Sequence, residues 1–523
     1  MAKAKSESGN CVLTLPLITE PWQEHIIETR FAIMEHLKNA LIKRYLKRLN
    51  NLRRTREYRA VMDVIFDKKI PYEQKKEYYA RRDQMYRDIG IPPKSEHAFE
   101  KDIQEFQAQY WQHISVQTAH KASIDVYNAF SKLLYGNKGG YADSIHYHRK
   151  NSLESIATKS ATKDCMKYHN NLFVWGSGAE PKAAKQKRLA KFSKSKTPHG
   201  VSLTIKVTPP RNDYEREMLQ KPIKYLRVVR KWMKTRYKYY LQFTLEGDPV
   251  KKDRAVGHGR VGIDIGTQTI AVCSETHAFL EVLAERVQTN HTRMIRLQRK
   301  MDASRRATNP DNYNPNGTIK RGVRLRWRYS KAYRRLAGQV RELQRKNADI
   351  RKYSHYVLAA RILALGDEVF VEHMQFRGLA ARAKETTRNE KGAFNKKKRF
   401  GKSIANRAPK TFLTLLDQKL KQYAGTELHE VDTKQYRASQ FDHTDRQYHK
   451  KTLSTRMFPL ACGDTVQRDL YSAFLLMNPN DTLTAPDGDA CDRFFPTFLR
   501  LHGQAIDTIK ANRSMTVSSF GLA

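Results

Sequence analysis

The sequence predicts a multidomain chain of mixed α+β and α/β class: a helical lobe and a small β domain, then an α/β domain. Three observations predict it. Apolar residues recur at helical spacing through Ile26, Ile27, Phe31, Met34, Leu37, Leu41 and Tyr45, with Lys and Arg on the other faces. Period-two alternation runs through 201–207, 225–230 and 237–245. From Val261 onward, apolar strands are separated by long helices.

The 523 residues include 97 Lys or Arg and 53 Asp or Glu, a formal net charge of +44. A field of one sign attracts polyanions and opposes its own compaction, so an ordinary metabolic enzyme is excluded as the default and nucleic acid is the expected partner. A hydrophobic fraction of 40% rules out a disordered basic tail. No run of ~18 apolar residues is present, so no membrane partner is expected. The start MAKAKSE leads into CVLTLPLI, too short for a secretory leader, so the expected location is the cytoplasm. The five cysteines are scattered and no Cys-x-x-Cys occurs, which fits a reduced chain.

Taken in order, residues 10–18 read as a strand, and helices follow to about Tyr135. The glycine turn Gly136-Asn137-Lys138-Gly139-Gly140 ends them. The β-rich stretch 141–255 carries a basic run over 182–196. A helix is expected over about 291–304, a turn-rich tip over 309–317, and the longest helix over 325–365, with a seam at Leu336, Val340, Leu343, Ile350, Val357 and Leu358.

Three carboxylates stand in unusual places. Asp264 interrupts the apolar strand 261–272, where Asp is disfavoured unless it is paired or metal-bound. Gly266 after it permits a turn or a close backbone approach. Glu372 ends the apolar run Val369-Phe370-Val371. Asp469 falls on the first turn of an apolar helix that Thr465 can cap. Each alone reads as a strand-end or cap residue. Together, two strands and a helix can converge three oxygen donors on a pair of hard cations.

The segments GIDIGTQTIAV (262–272), FVEHMQFRGL (370–379) and QRDLYSAFLL (467–476) resemble the three RuvC motifs of TnpB, the RNA-guided nuclease of insertion sequences, and of compact type V CRISPR effectors derived from it. The resemblance runs from about residue 10 to 478. It implies that Asp264, Glu372 and Asp469 are catalytic and bind two Mg²⁺ ions. It implies a strand of a wedge-like small β-barrel domain at 1–20, a helical recognition lobe at 21–135 and the rest of the wedge at 136–255. A RuvC (RNase H-like) nuclease domain with the first two motifs follows at 256–437, a degenerate zinc-ribbon-like insert at 438–464, and the third motif with a tail at 465–523. The implied function is RNA-guided DNA endonuclease, with a guide RNA and both strands of a target duplex as partners. Expected nucleic-acid contacts are Lys182, Lys185, Lys187, Arg188, Arg227, Arg230, Lys231, Lys396, Lys397, Lys398 and Arg399. Two alternatives stay open: a guided binder that does not cut, and a guide-independent, structure-selective RuvC nuclease. Oligomeric state, flanking motif, and transposon or CRISPR context also stay open.

The chain departs from that family in its zinc ribbon. Where two Cys-x-x-Cys pairs are expected, Asp442, Asp445, Pro459 and Cys462 stand, and proline cannot ligate zinc. A packed ribbon without zinc is expected, with His443, His449 and Cys462 as the alternative improvised site. Tyr471 replaces the family's Asn two residues after the catalytic Asp. Asp487-Gly488-Asp489-Ala490-Cys491-Asp492 faintly resembles a calcium loop but lacks its final Glu, so it reads as a loop before a short helix over 494–501. His146-Tyr147-His148 resembles a single-strand transposase pair but sits in a polar stretch. The lysine run 389–402 reads as a basic loop rather than a nuclear address.

Overall fold

The computed structural model describes residues 9–136, 140–159, 165–177, 200–381, 392, 400–450, 452, 455–511 and 520–522. They fall into two compact units, Met1–Val250 and Lys251–Ala523.

The first unit opens with β1 (Asn10–Ile18), whose Cys11, Leu13, Leu15 and Leu17 turn inward on alternate residues. Helix α1 (Pro21–Arg54) starts at a capping box between Glu20 and Gln23, with Pro21 where its missing N–H costs nothing. Helices α2 (Arg56–Phe66), α3 (Tyr72–Asp88), α4 (His97–Gln107) and α5 (Val116–Leu134) follow. Then come β2 (Ser155–Ala157), β3 (Met166–His169), β4 (Leu172–Trp175), β5 (Leu203–Val207), α6 (Asp213–Leu219), β6 (Ile223–Met233) and β7 (Arg236–Glu246). The seven strands form one antiparallel sheet, ordered β2-β6-β7-β1-β5-β4-β3. The N-terminal strand is therefore central: residues 10–16 pair with β7 and residues 17–18 with β5. Helical and β segments share one continuous core, in which Ile27, Phe31 and Tyr45 join Leu241 and Phe243.

The second unit opens with an antiparallel meander of β8 (Arg260–Ile265), β9 (Thr269–Ser274) and β10 (Ala278–Val282). A helical hairpin of α7 (His291–Thr308) and α8 (Lys331–Leu363) follows, closed on Leu297, Val340 and Leu343. After β11 (Glu368–Glu372) come α9 (Phe376–Ala380), α10 (Gly401–Arg407), α11 (Pro409–Tyr423), β12 (Leu428–Val431) and α12 (Thr433–Tyr436). Two small hairpins, β13 (Phe441–Asp442) with β14 (Gln447–Tyr448) and β15 (Met457–Pro459) with β16 (Thr465–Gln467), precede α13 (Arg468–Met477) and α14 (Gly488–Ala511). The sheet order is β10-β9-β8-β11-β12, with β11 parallel to both β8 and β12. One face packs Val261, Ile263 and Ile265 against Leu358 and Ile362 of α8 and Phe412 and Leu416 of α11. The other face is covered by α13 and α14.

Two local expectations are corrected. Thr465 lies in β16 and does not cap; Gln467 does, its side chain accepting from Leu470 N–H at 2.8 Å. The stretch 487–492 is not a loop before a short helix. The Asp487 carboxylate accepts from the N–H groups of Asp489 and Ala490 at 3.0 and 3.1 Å, and the helix it starts runs 24 residues through Pro496. Burial of Cys491, Phe498, Leu501 and Ile509 outweighs the one helical hydrogen bond that the proline removes. No described helix is long and apolar enough to cross a membrane.

Candidate functional site

Alternation along β8 puts Gly262 and Asp264 on one face of the sheet and Val261, Ile263 and Ile265 on the other. Because Ile263 pairs with Val371 in parallel register, the next residues, Asp264 and Glu372, stand side by side on strands ~4.8 Å apart. Asp469 arrives from across the sheet, on the first turn of α13. Gly262 is what lets that helix come close. A Cβ there would lie 1.9 Å from the Ala473 carbonyl oxygen and 2.3 Å from the Met477 nitrogen. The close-approach glycine of this strand is thus Gly262, whereas Gly266 only forms the β8–β9 turn, donating to Thr269 O at 2.9 Å.

The structure brings Asp264, Glu372 and Asp469 into one electrostatic cluster. The Asp264 carboxyl is held well above the usual carboxylate range by burial, then by the negative charge of Asp469 and Glu372; Arg468 and Arg456 offset part of this. Burial pushes Glu372 up to about 7, against one hydrogen bond from the Ala438 N–H at 3.3 Å. Asp469 is flanked by two guanidinium groups. Arg468 donates to its Oδ1 from Nε and Nη2 at 3.0 and 2.9 Å, and Arg456 Nη1 lies 3.4 Å from both oxygens. The three acids, with no described donor on Asp264, offer oxygens of the kind a hard divalent cation such as Mg²⁺ takes, but their donor atoms do not all lie within 4.8 Å of one another. Sequence reasoning missed Arg456, Arg468 and Gly262. Arg468 adjoins Asp469 in the chain and was findable; Arg456 reaches it only through the fold of the β15–β16 hairpin.

The two hairpins at the ribbon position sit opposite each other without a thiolate cluster. Asp442, at the first ligand position, is buried; its Oδ1 accepts from Thr444 N–H and Oγ1–H, and its Oδ2 accepts from the Ala461 N–H of the opposite hairpin at 2.9 Å. His443 is also buried. Its N–H donates to the Tyr471 hydroxyl at 3.0 Å, and that hydroxyl lies 2.6 Å from its Nδ1. Cys462 contacts Asp464 instead. The set His443, His449 and Cys462 is therefore not assembled. The donor atoms that do gather, within 4.8 Å, belong to Asp442, Asp445 and His449, and the Asp442 oxygens are already taken by hydrogen bonds. Tyr471 points into this ribbon core, against Phe458, Phe474 and Phe498, and away from the acids.

Among the expected nucleic-acid contacts, Lys182, Lys185, Lys187, Arg188, Lys396, Lys397, Lys398 and Arg399 lie outside the described residues. Lys231 is exposed, over the Tyr240 ring at 5.1 Å. Arg227 is half-buried and donates to Gln242 at 3.3 Å. Arg230 is corrected: it is 2% exposed, paired with Glu28, 3.6 Å from Glu35, bonded to Leu153 O at 2.9 Å, and sandwiched by Phe31 and Tyr237. It ties α1 to the sheet and presents no surface to a phosphate. A cavity of about 1000 Å³ between β10, α8 and α14 contains none of the three acids.

No family model and no curated protein matches the chain. Solved structures similar to it include two complexes. One is the cryo-EM structure of a Cas12f1–sgRNA–target DNA complex, at 10% identity and a TM-score of 0.45, covering 90% of this chain and 99% of that one. The other is a CRISPR-Cas12f ternary complex, at 15% identity and a TM-score of 0.26, covering 87% and 82%. At these scores the likeness is too distant to assign a fold or a function.

Proposed function

We propose that this chain is an RNA-guided DNA endonuclease that hydrolyses phosphodiesters at a RuvC-type site. The observation that carries the reading is the convergence of Asp264, Glu372 and Asp469 from two adjacent strands and a helix. Their motifs resemble those of TnpB-like nucleases, and the net charge of +44 suits a protein that grips RNA and DNA through phosphates. The first unit serves as recognition lobe and wedge, and the second as nuclease.

Asp264, Glu372 and Asp469 would hold a pair of Mg²⁺ ions, which when bound supply an activated water and charge stabilisation at the leaving oxygen. The chain's own contribution is positional. Strands β8 and β11 fix two carboxylates side by side, and Gly262 sets the distance to the third. Ala438 N–H orients Glu372, and Arg456 and Arg468 hold Asp469 in place.

The test is to express the chain with its flanking DNA, sequence the co-purified RNA, and offer matched radiolabelled duplex with Mg²⁺. Cleavage that is abolished by Asp264→Ala, with RNA and DNA binding retained, supports the reading. Intact target under those conditions would leave a guided binder, and cleavage of branched DNA without RNA would favour a structure-selective nuclease.

A further inference from the structure

The tip of the α7–α8 hairpin carries a feature that the acid site does not use. Residues 324–330 belong to no helix and no sheet, yet 324–328 alternate in exposure: Arg324, Arg326 and Arg328 face solvent, while Leu325 and Trp327 are half-buried. Two asparagines from the start of the tip hold this geometry. Asn309 and Asn312 are 6% and 8% exposed. Asn309 Nδ2 donates to Arg328 O at 2.8 Å and its Oδ1 accepts from Arg328 N–H at 2.6 Å, while Asn312 Nδ2 donates to Arg326 O at 2.7 Å. The bonded backbone groups are two residues apart, so the asparagine side chains act as a neighbouring strand would, pinning the segment extended. Trp327 sits edge-on to Tyr313 at 5.9 Å with Arg305 over its ring at 5.3 Å, which anchors the inward side.

An extended chain places side chains two residues apart at ~6.6 Å on one face. That interval suits successive phosphates along one nucleic-acid strand. None of the three guanidinium groups pairs with a carboxylate of a described residue, so among the described residues three like charges are held in a row without an acid to offset their repulsion. We propose that Arg324, Arg326 and Arg328 form a comb that binds consecutive phosphates of one extended nucleic-acid strand, DNA or RNA. The planar guanidinium suits phosphate oxygens, and the ordinary alternative, a solvated basic loop, gives no reason for two buried asparagines to set the spacing.

The inference rests on the nucleic-acid reading of the chain, but its readout involves no guide, metal or cleavage, so the two fail separately. Binding of the RNA-free full-length protein to fluorescein-labelled 15-nucleotide oligo-dT and oligo-U is measured from 50 to 200 mM KCl. Each single-strand phosphate contact contributes ~0.7 to the slope of log K against log salt. The triple variant Arg324→Gln, Arg326→Gln, Arg328→Gln should flatten the slope by about 2 on both strands, making the loss of affinity across that range roughly 15-fold smaller. A charge-matched control, Lys331→Gln, Arg334→Gln, Arg335→Gln, removes three exposed cations from the first turns of α8 and should change the slope by less than half as much. Asn309→Ala with Asn312→Ala keeps every charge but releases the spacing, and should lose at least half of the comb's contribution. An unchanged slope in the comb variant, or an equal loss in the control, overturns the proposal. If the asparagine variant does not fold, the two arginine variants still decide it.

Discussion

The strongest test of the acid cluster is stability without metal. Burial raises Glu372 from 4.5 to about 7. A folded-state pKa above the unfolded one means that the folded protein keeps its proton longer, so the stability present below pH 4.5 is lost as the pH rises through 7. At 1.36 kcal/mol per pH unit over that window, the ionised carboxylate costs the metal-free fold about 3 kcal/mol above pH 7. Glu372→Gln keeps the shape, and its amide cannot ionise. In EDTA at pH 8 the variant should therefore be more stable by up to about 3 kcal/mol, a rise in melting midpoint of roughly 5–10 °C for a unit of this size. At pH 4.5 the two proteins should melt together. Mg²⁺ should raise the midpoint of the wild type more than that of the variant, and guided cleavage should be lost. The assay is differential scanning calorimetry at one scan rate, across pH 4.5–8, with and without Mg²⁺. Equal midpoints at pH 8 in EDTA, or a gain that persists unchanged at pH 4.5, would refute an enclosed, proton-holding Glu372.

Three further outcomes are expected. Gly262→Val drives a branched side chain into the α13 backbone, whose Ala473 oxygen stands 1.9 Å from the new Cβ; thermal melts should show a loss of about 1–3 kcal/mol or more, and the Mg²⁺-dependent rise in midpoint should vanish as Asp469 leaves the cluster. Tyr471→Phe leaves the buried His443 N–H and Nδ1 without their shared hydroxyl, so the midpoint should fall by the equivalent of about 1–3 kcal/mol, and Zn²⁺ should not restore it. His502 is held below its ordinary 6.5 by burial, its Nε2 accepting from Gln467 N–H at 2.9 Å. The folded state resists the proton, so stability present above pH 6.5 should fall below it by up to about 1.4 kcal/mol per pH unit, and acid melts of His502→Gln should show a shallower decline.

Local pattern carried much of this chain. The strand over 10–18 is visible in the alternation of Cys11, Leu13, Leu15 and Leu17, because a half-buried strand writes its period into the sequence. The helix over 331–363 follows in part from its seam: Val340, Leu343 and Leu358 are buried, but Val357 is 50% exposed and residues 325–330, expected in the helix, lie before it. The reading failed where tertiary burial overrode a local signal. Asp487, Gly488 and Pro496 look like a loop and a break, yet one apolar face spanning Cys491 to Ile509 makes a single helix worth forming. Arg230 looked like a surface cation in a basic strand; its burial is set by Glu28 and Glu35, about 200 residues earlier in the chain.

By itself the sequence determined the chemistry at hand: which three acids interrupt apolar elements, the excess of positive charge, and the absence of a Cys₄ ribbon. Those are properties of residue type and short-range period. Only the tertiary structure decided that Asp264 and Glu372 are neighbours, that Gly262 admits α13, and that Arg456 reaches Asp469. It also decided that Asp442 links the two ribbon hairpins through Ala461, and that Tyr471 ties the first of them to α13 through His443. Each of these is a contact between segments far apart in the chain, where loop closure and packing against a third element select the pairing and no local propensity records it.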